Sequence, residues 1–482
     1  MTMHNFRPDE NEIRHYFARF GVDEAVIRQI MEAALSKGGD YCDLFFQHEF
    51  SNHVGLEDRE VNRAYSNIDL GLGIRVLKGD QTGYSFTEDL SLKSMKLAAQ
   101  TAAEIANDSR QIPPQEFSAG KKGDYYALQV AWEDVGIDTK IDFLEKVNEM
   151  VFQKDPRIIK ATLSFYDENS YILIATSDGI IQTDHQPMSG LNVSCIAEQH
   201  NRRESNHYGL SVRDDIQYFT PERLQELAQE SVRHTVQLFD AIKPAPGEME
   251  VVLAAGSSGI LLHEAIGHGM EADFNRKNVS IFADKIGKRI AKDFVSVVDD
   301  GTNPHLRGSI NVDDEGNPVE RTLLVENGIL KSYLHDRISA RFYGVKPTGN
   351  GRRESFRHPP MPRMRNTYML PGPHKKDEII QSVKKGILAE TFSNGQVFIG
   401  AGDFTFYVKS GYLIEDGRIT RPIKDVNIIG NGPKVLENIV MVADDLEMAK
   451  GGWTCGKNGQ GVPVSQGLPT VKVSSITVGG VS

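Results

Sequence analysis

The segment Ser257 to Met270 reads SSGILLHEAIGHGM. Ile260, Leu261, Leu262, Ala265 and Ile266 make it apolar nearly all round, the pattern of a buried helix. Embedded in it are His263, Glu264 and His268. A buried polar group without a partner costs about 1–3 kcal/mol. A metal ion with an adjacent water would satisfy all three. Glu264, directly after the first histidine, is then placed against the water rather than on the ion, the position of a general base. The plainer alternative is a buried helix whose two histidines are simply hydrogen-bonded.

The spacing His-Glu-x-x-x-His is one residue longer than the common zinc-protease pattern. Four residues are about 40° around a regular helix, and five are about 140°. A regular helix therefore cannot aim both imidazoles at one ion. It must end or widen here, and Gly267 and Gly269, flanking His268, are the residues expected to permit that.

Two histidines need a third ligand. Cys42 alternates with Leu44 and Phe46, and Cys195 with Leu191, Val193 and Ala197, so both read as core cysteines on strands. Cys455 lies in the glycine-rich run GGWTCGKNG, where no apolar periodicity explains it. It is either a loop cysteine without a role or the third ligand. Two His and one Cys suit zinc and leave a position open for water. His335, His358 and His374 read as surface or structural. The run Gly351 to Asn366 carries Arg352, Arg353, Arg357, Arg363 and Arg365 against Glu354, and its prolines keep it from being a helix. Two readings stand for it. One is a rigid loop whose arginines, Arg352, Arg353, Arg357 and Arg363 among them, grip a substrate carboxylate or backbone carbonyls. The other is a set of intramolecular ion pairs.

These residues must be positioned by the rest of a 482-residue chain, a length that implies two or three domains. With 39% apolar and 25% charged residues it has the material for a real core. A net charge of −12 argues against a dedicated nucleic-acid binder. Three cysteines argue for a reducing compartment. The first twenty residues, with Asp9, Glu10, Glu12 and Arg14, hold no apolar leader, and no run reaches the 18 apolar residues of a membrane span. The expectation is a cytoplasmic protein without membrane contact.

Amphipathic periodicity predicts helices over Asp23–Lys37, about Leu92–Ile105, and from Pro221 behind an N-cap at Thr220. Strands are predicted over Tyr41–Phe50 and Leu70–Leu77. A meander follows over Ile158–Tyr166, Ser170–Thr176 and Ile180–Thr183. Lys243 to Gly247, with two prolines and a glycine, reads as the boundary between an N-terminal α/β domain (1–243) and a strand-rich C-terminal domain (248–482). Beyond it, Glu320–Glu326 and Ile329–His335 flank Asn327-Gly328, a strong hairpin signal. More strands follow over Val397–Ile399, Asp403–Val408 and Gly411–Ile414. Without regular βαβ alternation the fold class is α+β.

The segments HEAIGHGMEADFNRKNVSIF from His263, GRRESFRHPPMPRMRNTYMLPG from Gly351 and CGKNGQGVPVSQGLPTVKV from Cys455 resemble the TldD/PmbA family, on its TldD side. GDYCDLFFQ and GLGIRVLKGDQTGYSFTEDL near the N-terminus are similar as well. The resemblance implies a cytoplasmic zinc metalloprotease with one zinc held by His263, His268 and Cys455, and Glu264 as the base. It also implies pairing with a homologous subunit that lacks the zinc motif, with a self-dimer as the alternative, so that the pair encloses the site. Family members are associated with processing peptide antibiotics, with degrading an antitoxin, and with an older label as modulators of DNA gyrase. The expected activity is hydrolysis of unfolded or flexible peptides. The competing expectation is a non-catalytic regulatory or binding protein stabilised by zinc.

Overall fold

A computed structural model of the chain describes residues 16–107 and 112–480. The leader reading rests mostly on residues outside that set. No helix among the described residues is long and apolar enough to cross a membrane.

The N-terminal half is built on one sheet. Its strands run in the order Gln81–Thr87, Glu60–Lys78, Tyr41–Glu57, Ile158–Thr176 and Ile180–Gln199, with Arg202–Val212 and the short Ser118–Ala119 paired to the last. Two helix pairs cover one face. Glu24–Leu35 is capped by the Asp23 carboxylate, which accepts from Val26 N–H at 2.8 Å, and packs with Leu92–Ala103. Ile137–Lys154 and Pro221–Val236 form the second pair, the latter capped by Thr220 as its sequence predicts.

The expected meander differs in two respects: its last strand runs on past Thr183 to Gln199, and its first two are one. Ile158–Thr176 is a single strand, with no break between Tyr166 and Ser170. Ala161, Leu163 and Phe165 enter one helix-covered core, and Tyr171, Leu173 and Ala175 the other. Asp167 and Asn169 cross the gap on the same face. Asp167 pairs with buried Lys140 and accepts from Asn52 Nδ2, and Asn169 donates to Glu133. A polar stretch that reads as a turn is a strand whose polar groups have partners.

Strands after residue 247 form separate sheets. In one, Lys385–Phe398, Gly247–Leu253, Val471–Gly480, Val426–Asn431, Asp403–Glu415 and Arg418–Ile423 lie side by side. The other carries Val297–Asp300, Arg321–Glu326, Asn366–Met369 and Gln460–Leu468. Asn327-Gly328 turns as expected, both residues at positive φ, but the returning strand is only Ile329–Leu330. A large apolar core containing Ile260, Leu261, Leu262, Ala265 and Ile266 joins the 260–270 segment to both sheets.

The other face of the N-terminal sheet receives Phe356 from the arginine loop. Its ring is fully buried on Phe45, Ile172 and Ile174. The approach is possible because Gly71 lies beneath it: a Cβ there would sit 2.2 Å from the ring. Tyr84 Oη donates to the Phe356 carbonyl at 2.6 Å. Phe356→Ala should therefore destabilise the protein by about 3–5 kcal/mol. Urea denaturation followed by tryptophan fluorescence should show an earlier midpoint, and an unchanged midpoint would mean that this contact carries no stability.

Candidate metal centre

The segment that carries the histidines is a helix of changing pitch. Ser257–Gly259 is a 3-10 turn, Ile260–Leu262 an α turn, His263–Gly267 a π turn and His268–Met270 again 3-10. The His268 N–H donates to the His263 carbonyl, closing an i→i+5 turn between the two histidines. In such a turn, residues five apart return to nearly the same side. The widening expected from the spacing is present. The glycines act differently from expectation. Gly267 has ordinary right-handed torsions (φ −58°, ψ −50°), so no special backbone conformation is needed. What is needed is room. A Cβ on Gly267 would lie 2.1 Å from Met364 Sδ, and one on Gly269 2.6 Å from the Phe282 ring.

Cys455 does not lie in a loop. It sits on the strand Trp453–Lys457, opposite Val462, in a hairpin whose turn is Asn458-Gly459, both at positive φ. The hairpin lays Cys455 over the π turn. Candidate ligand atoms of His263, His268 and Cys455 all lie within 4.8 Å of one another, and all three residues are buried. Cys455 Sγ is 3.5 Å from His268 Nε2, and the two imidazole planes stand at 85°. His263 Nδ1 is buried without a hydrogen-bond partner. Burial pushes the Cys455 thiol up, but His263 and His268 outweigh it and hold the thiol well below its ordinary value. A thiolate between two imidazoles, with one orphaned ring nitrogen, is a donor set that fits a zinc ion.

Behind His268 stands a carboxylate that the motif reading misses. Fully buried Glu271 Oε2 lies 3.0 Å from His268 Nδ1 and accepts from Lys457 Nζ at 3.0 Å. Lys457 also donates to Asp273 Oδ1 at 2.8 Å and to the Pro362 carbonyl at 3.0 Å. Burial pushes Glu271 up, yet Lys457 and His268 outweigh it and bring it down to about 2. An ionised Glu271 accepts the Nδ1 proton and leaves Nε2 free to bind, the usual support of a metal-binding histidine. The signal was available in the sequence: an acidic residue three positions after the second histidine.

Glu264 occupies the rim. Its side chain is 24% exposed, and its Oε2 is 3.7 Å from His268 Nε2, beyond hydrogen-bond reach. Glu264 and His268 line an open cleft of about 420 Å³. A larger cavity of about 650 Å³, lined by Phe50, Tyr65, Trp132 and Lys140, includes none of these residues.

The arginines turn inward. Arg352 Nη1 donates to the Met364 and Pro463 carbonyls, both at 2.8 Å. Arg353 pairs with Asp43 at 3.1 Å, and Arg363 donates to the Cys455 and Gln460 carbonyls. Arg365 pairs with Asp299 at 2.8 Å. Arg357, about a third exposed, binds Asp69 and Glu88. Of the two readings of this loop, the intramolecular one describes these contacts, and the guanidinium groups of Arg352, Arg353 and Arg363 are not presented to the cleft. Arg363 holds the hairpin by the carbonyl of Cys455 itself. His335 and His374 lie apart from the cluster, His374 being bonded to the backbone of Val442.

Cys455→Ala should lose most bound zinc, and Glu271→Gln should weaken zinc binding by about 10–100-fold. Cys42→Ala and Cys195→Ala, both in apolar cores, should retain the metal. Metal analysis after dialysis against a graded chelator reads all four. Full zinc in Cys455→Ala would remove that thiolate from the ligand set.

Three family profiles match in succession: PmbA/TldA metallopeptidase domain 1 over residues 42–106, the central domain over 131–239 and the C-terminal domain over 246–480. A protein of Haemophilus influenzae named "Metalloprotease TldD homolog" is 40% identical over 448 residues, 92% of this chain and 93% of that one. A namesake from Buchnera aphidicola is 38% identical over 457 residues, 93% and 95% of the two chains. The "Zinc metalloprotease TldD homolog" of Saccharolobus solfataricus is 31% identical over 456 residues, 92% and 97% of the two. Two solved structures share the fold. A Thermotoga maritima protein named for modulation of DNA gyrase has a TM-score of 0.76 at 22% identity, covering 95% of this chain and all of its own. TldE from Thermococcus kodakarensis has 0.75 at 17%, covering 95% and 99%. The chain belongs to the PmbA/TldD metallopeptidase family.

Proposed function

We propose that this chain is a zinc-dependent peptidase for unfolded or flexible peptides, holding one zinc through His263, His268 and Cys455. The observation that carries this reading is the convergence of the three buried ligand atoms within 4.8 Å, with Glu264 on the same turn at the solvent edge. Zinc held there supplies a Lewis acid that polarises the scissile carbonyl and makes water more acidic. Glu264 takes a proton from the attacking water at Oε2 as the water oxygen bonds to the carbonyl carbon. It then passes that proton to the amine nitrogen as the carbon–nitrogen bond breaks. Glu271 and Lys457 keep His268 oriented throughout. If the zinc were only structural, in a regulatory protein, Glu264 would have no task, and structural sites are usually closed by four protein ligands.

The cleft suits an extended chain better than a folded domain. The family resemblance supports pairing with a homologous subunit that lacks the zinc motif, or with a second copy, so that the site faces an internal chamber. Three free cysteines support a reducing, cytoplasmic setting.

Glu264→Gln should keep zinc and peptide binding and lose turnover by about 10²–10⁴-fold, because an amide cannot accept the proton. Parental rates in that variant would end its assignment as the base. Sedimentation should show a dimer, alone or with the homologous subunit. Cleavage should reach an unfolded protein and spare its folded form, whereas a monomer that cuts both equally would contradict the enclosed chamber.

A further inference from the structure

The cleft beside Glu264 has two unlike walls. One carries Glu264 and His268. The other is largely apolar, with Phe274 from the segment after the π turn and Val397, Phe398 and Ile399 from the end of the long strand Lys385–Phe398 and its turn, together with the uncharged polar Gln396 and Asn458. Phe398 is 68% exposed, more than any other large apolar side chain among the described residues. Single exposed apolar side chains are ordinary, whereas several gathered along one concave lining mark a binding surface. The turn that presents Phe398 is tethered. Gly402 N–H donates to the Phe398 carbonyl at 2.6 Å, and Ile281 N–H to the Ile399 carbonyl at 3.4 Å.

Lys457 also lines the cleft, yet it offers no free cation. Its ammonium is shared among Glu271, Asp273 and the Pro362 carbonyl, and lies 4.2 Å from the centre of the Phe274 ring. Glu264 adds a negative charge. Gly456 leaves space in the lining, since a Cβ there would meet no atom within 4 Å.

We infer that this cleft is a subsite for an apolar, preferably aromatic, side chain flanking the bond that is cut, and that it disfavours acidic side chains there. The inference rests on the peptidase reading above. An aromatic ring finds Phe274 and Phe398 to cover it. A carboxylate meets Glu264, and the Lys457 ammonium is already engaged by Glu271 and Asp273.

Unfolded glycine- and serine-rich peptides with one central Phe, Leu, Lys or Asp provide the test. The zinc-loaded parental protein, which keeps the Glu264 charge, is given the peptides in competition, and mass spectrometry reads their relative kcat/KM and the bonds cut. Phe and Leu peptides should be cut with about tenfold higher kcat/KM than the Asp peptide, in keeping with the discrimination of apolar pockets. Cuts should flank the Phe or Leu. Phe398→Arg, at an exposed position, should bring the Phe-to-Asp ratio near one with zinc content unchanged, and Phe274→Ala should lower the ratio independently. Equal kcat/KM for the Phe and Asp peptides, or an unaltered preference in both variants, would overturn the subsite while zinc-dependent cleavage left the peptidase reading in place. A zinc-loaded parental protein that cuts none of the peptides, either alone or paired with the homologous subunit, would remove that reading and the subsite with it.

Discussion

Two histidines five residues apart must face one point, and much of the structure around the site follows from that demand. A hydrogen bond from the His268 N–H to the His263 carbonyl meets it by opening one turn of helix. A π turn bonds less favourably than an α turn, so its surroundings must hold it. Met364 packs against Gly267 at the end of the turn and Phe282 against Gly269 just beyond it, and the neighbouring Ile260, Leu261, Leu262, Ala265 and Ile266 are buried in the large C-terminal core. The ligand geometry is thus part of the core packing. This is how a site acquires rigidity without a loop having to close on it.

The arginine loop extends the same logic to the third ligand. Arg363 grips the carbonyl of Cys455, Arg352 spans the Met364 and Pro463 carbonyls, and Arg353 reaches Asp43 on the N-terminal sheet. Buried guanidinium groups are costly unless their donors are used, and a planar fork of five donors suits several carbonyls at once, although Arg353 Nε and Arg363 Nε find no partner here. Between Arg353 and Arg363 the chain sends Phe356 onto Gly71. One segment therefore serves both the position of the thiolate and the docking of the two halves, beside pairs such as Arg75–Glu315 and Arg307–Tyr166.

Features governed by neighbours in sequence are legible in it. The cap at Thr220, the turn at Asn327-Gly328 and the need for a wide turn between the histidines all follow from local rules. Partners from far along the chain are what local rules miss. Asp167 and Asn169 resemble a turn because Lys140 and Glu133, which satisfy them, lie about 25–35 residues earlier. Cys455 reads as a loop residue because abundant glycine hides Asn458-Gly459, the same kind of turn recognised at 327–328. The arginines leave both a ligand grip and internal pairing open because their carbonyl partners cannot be seen in a sequence. Glu271 is different. One acidic residue a turn beyond His268 is a local signal, overlooked because attention stops at the ligands.

The N-terminal sheet has a consequence for how the family's modules relate. The profiles for domain 1 and the central domain meet between residues 106 and 131. Yet the strand Tyr41–Glu57 of the first runs antiparallel to Ile158–Thr176 of the second, in register from Asp43 opposite Thr176 to Glu57 opposite Thr162. Separating the two would strip a long ladder and leave two sticky edges, each ready to recruit a stray strand. Modules matched by separate profiles are thus a single foldon: neither half should open in hydrogen exchange without the other.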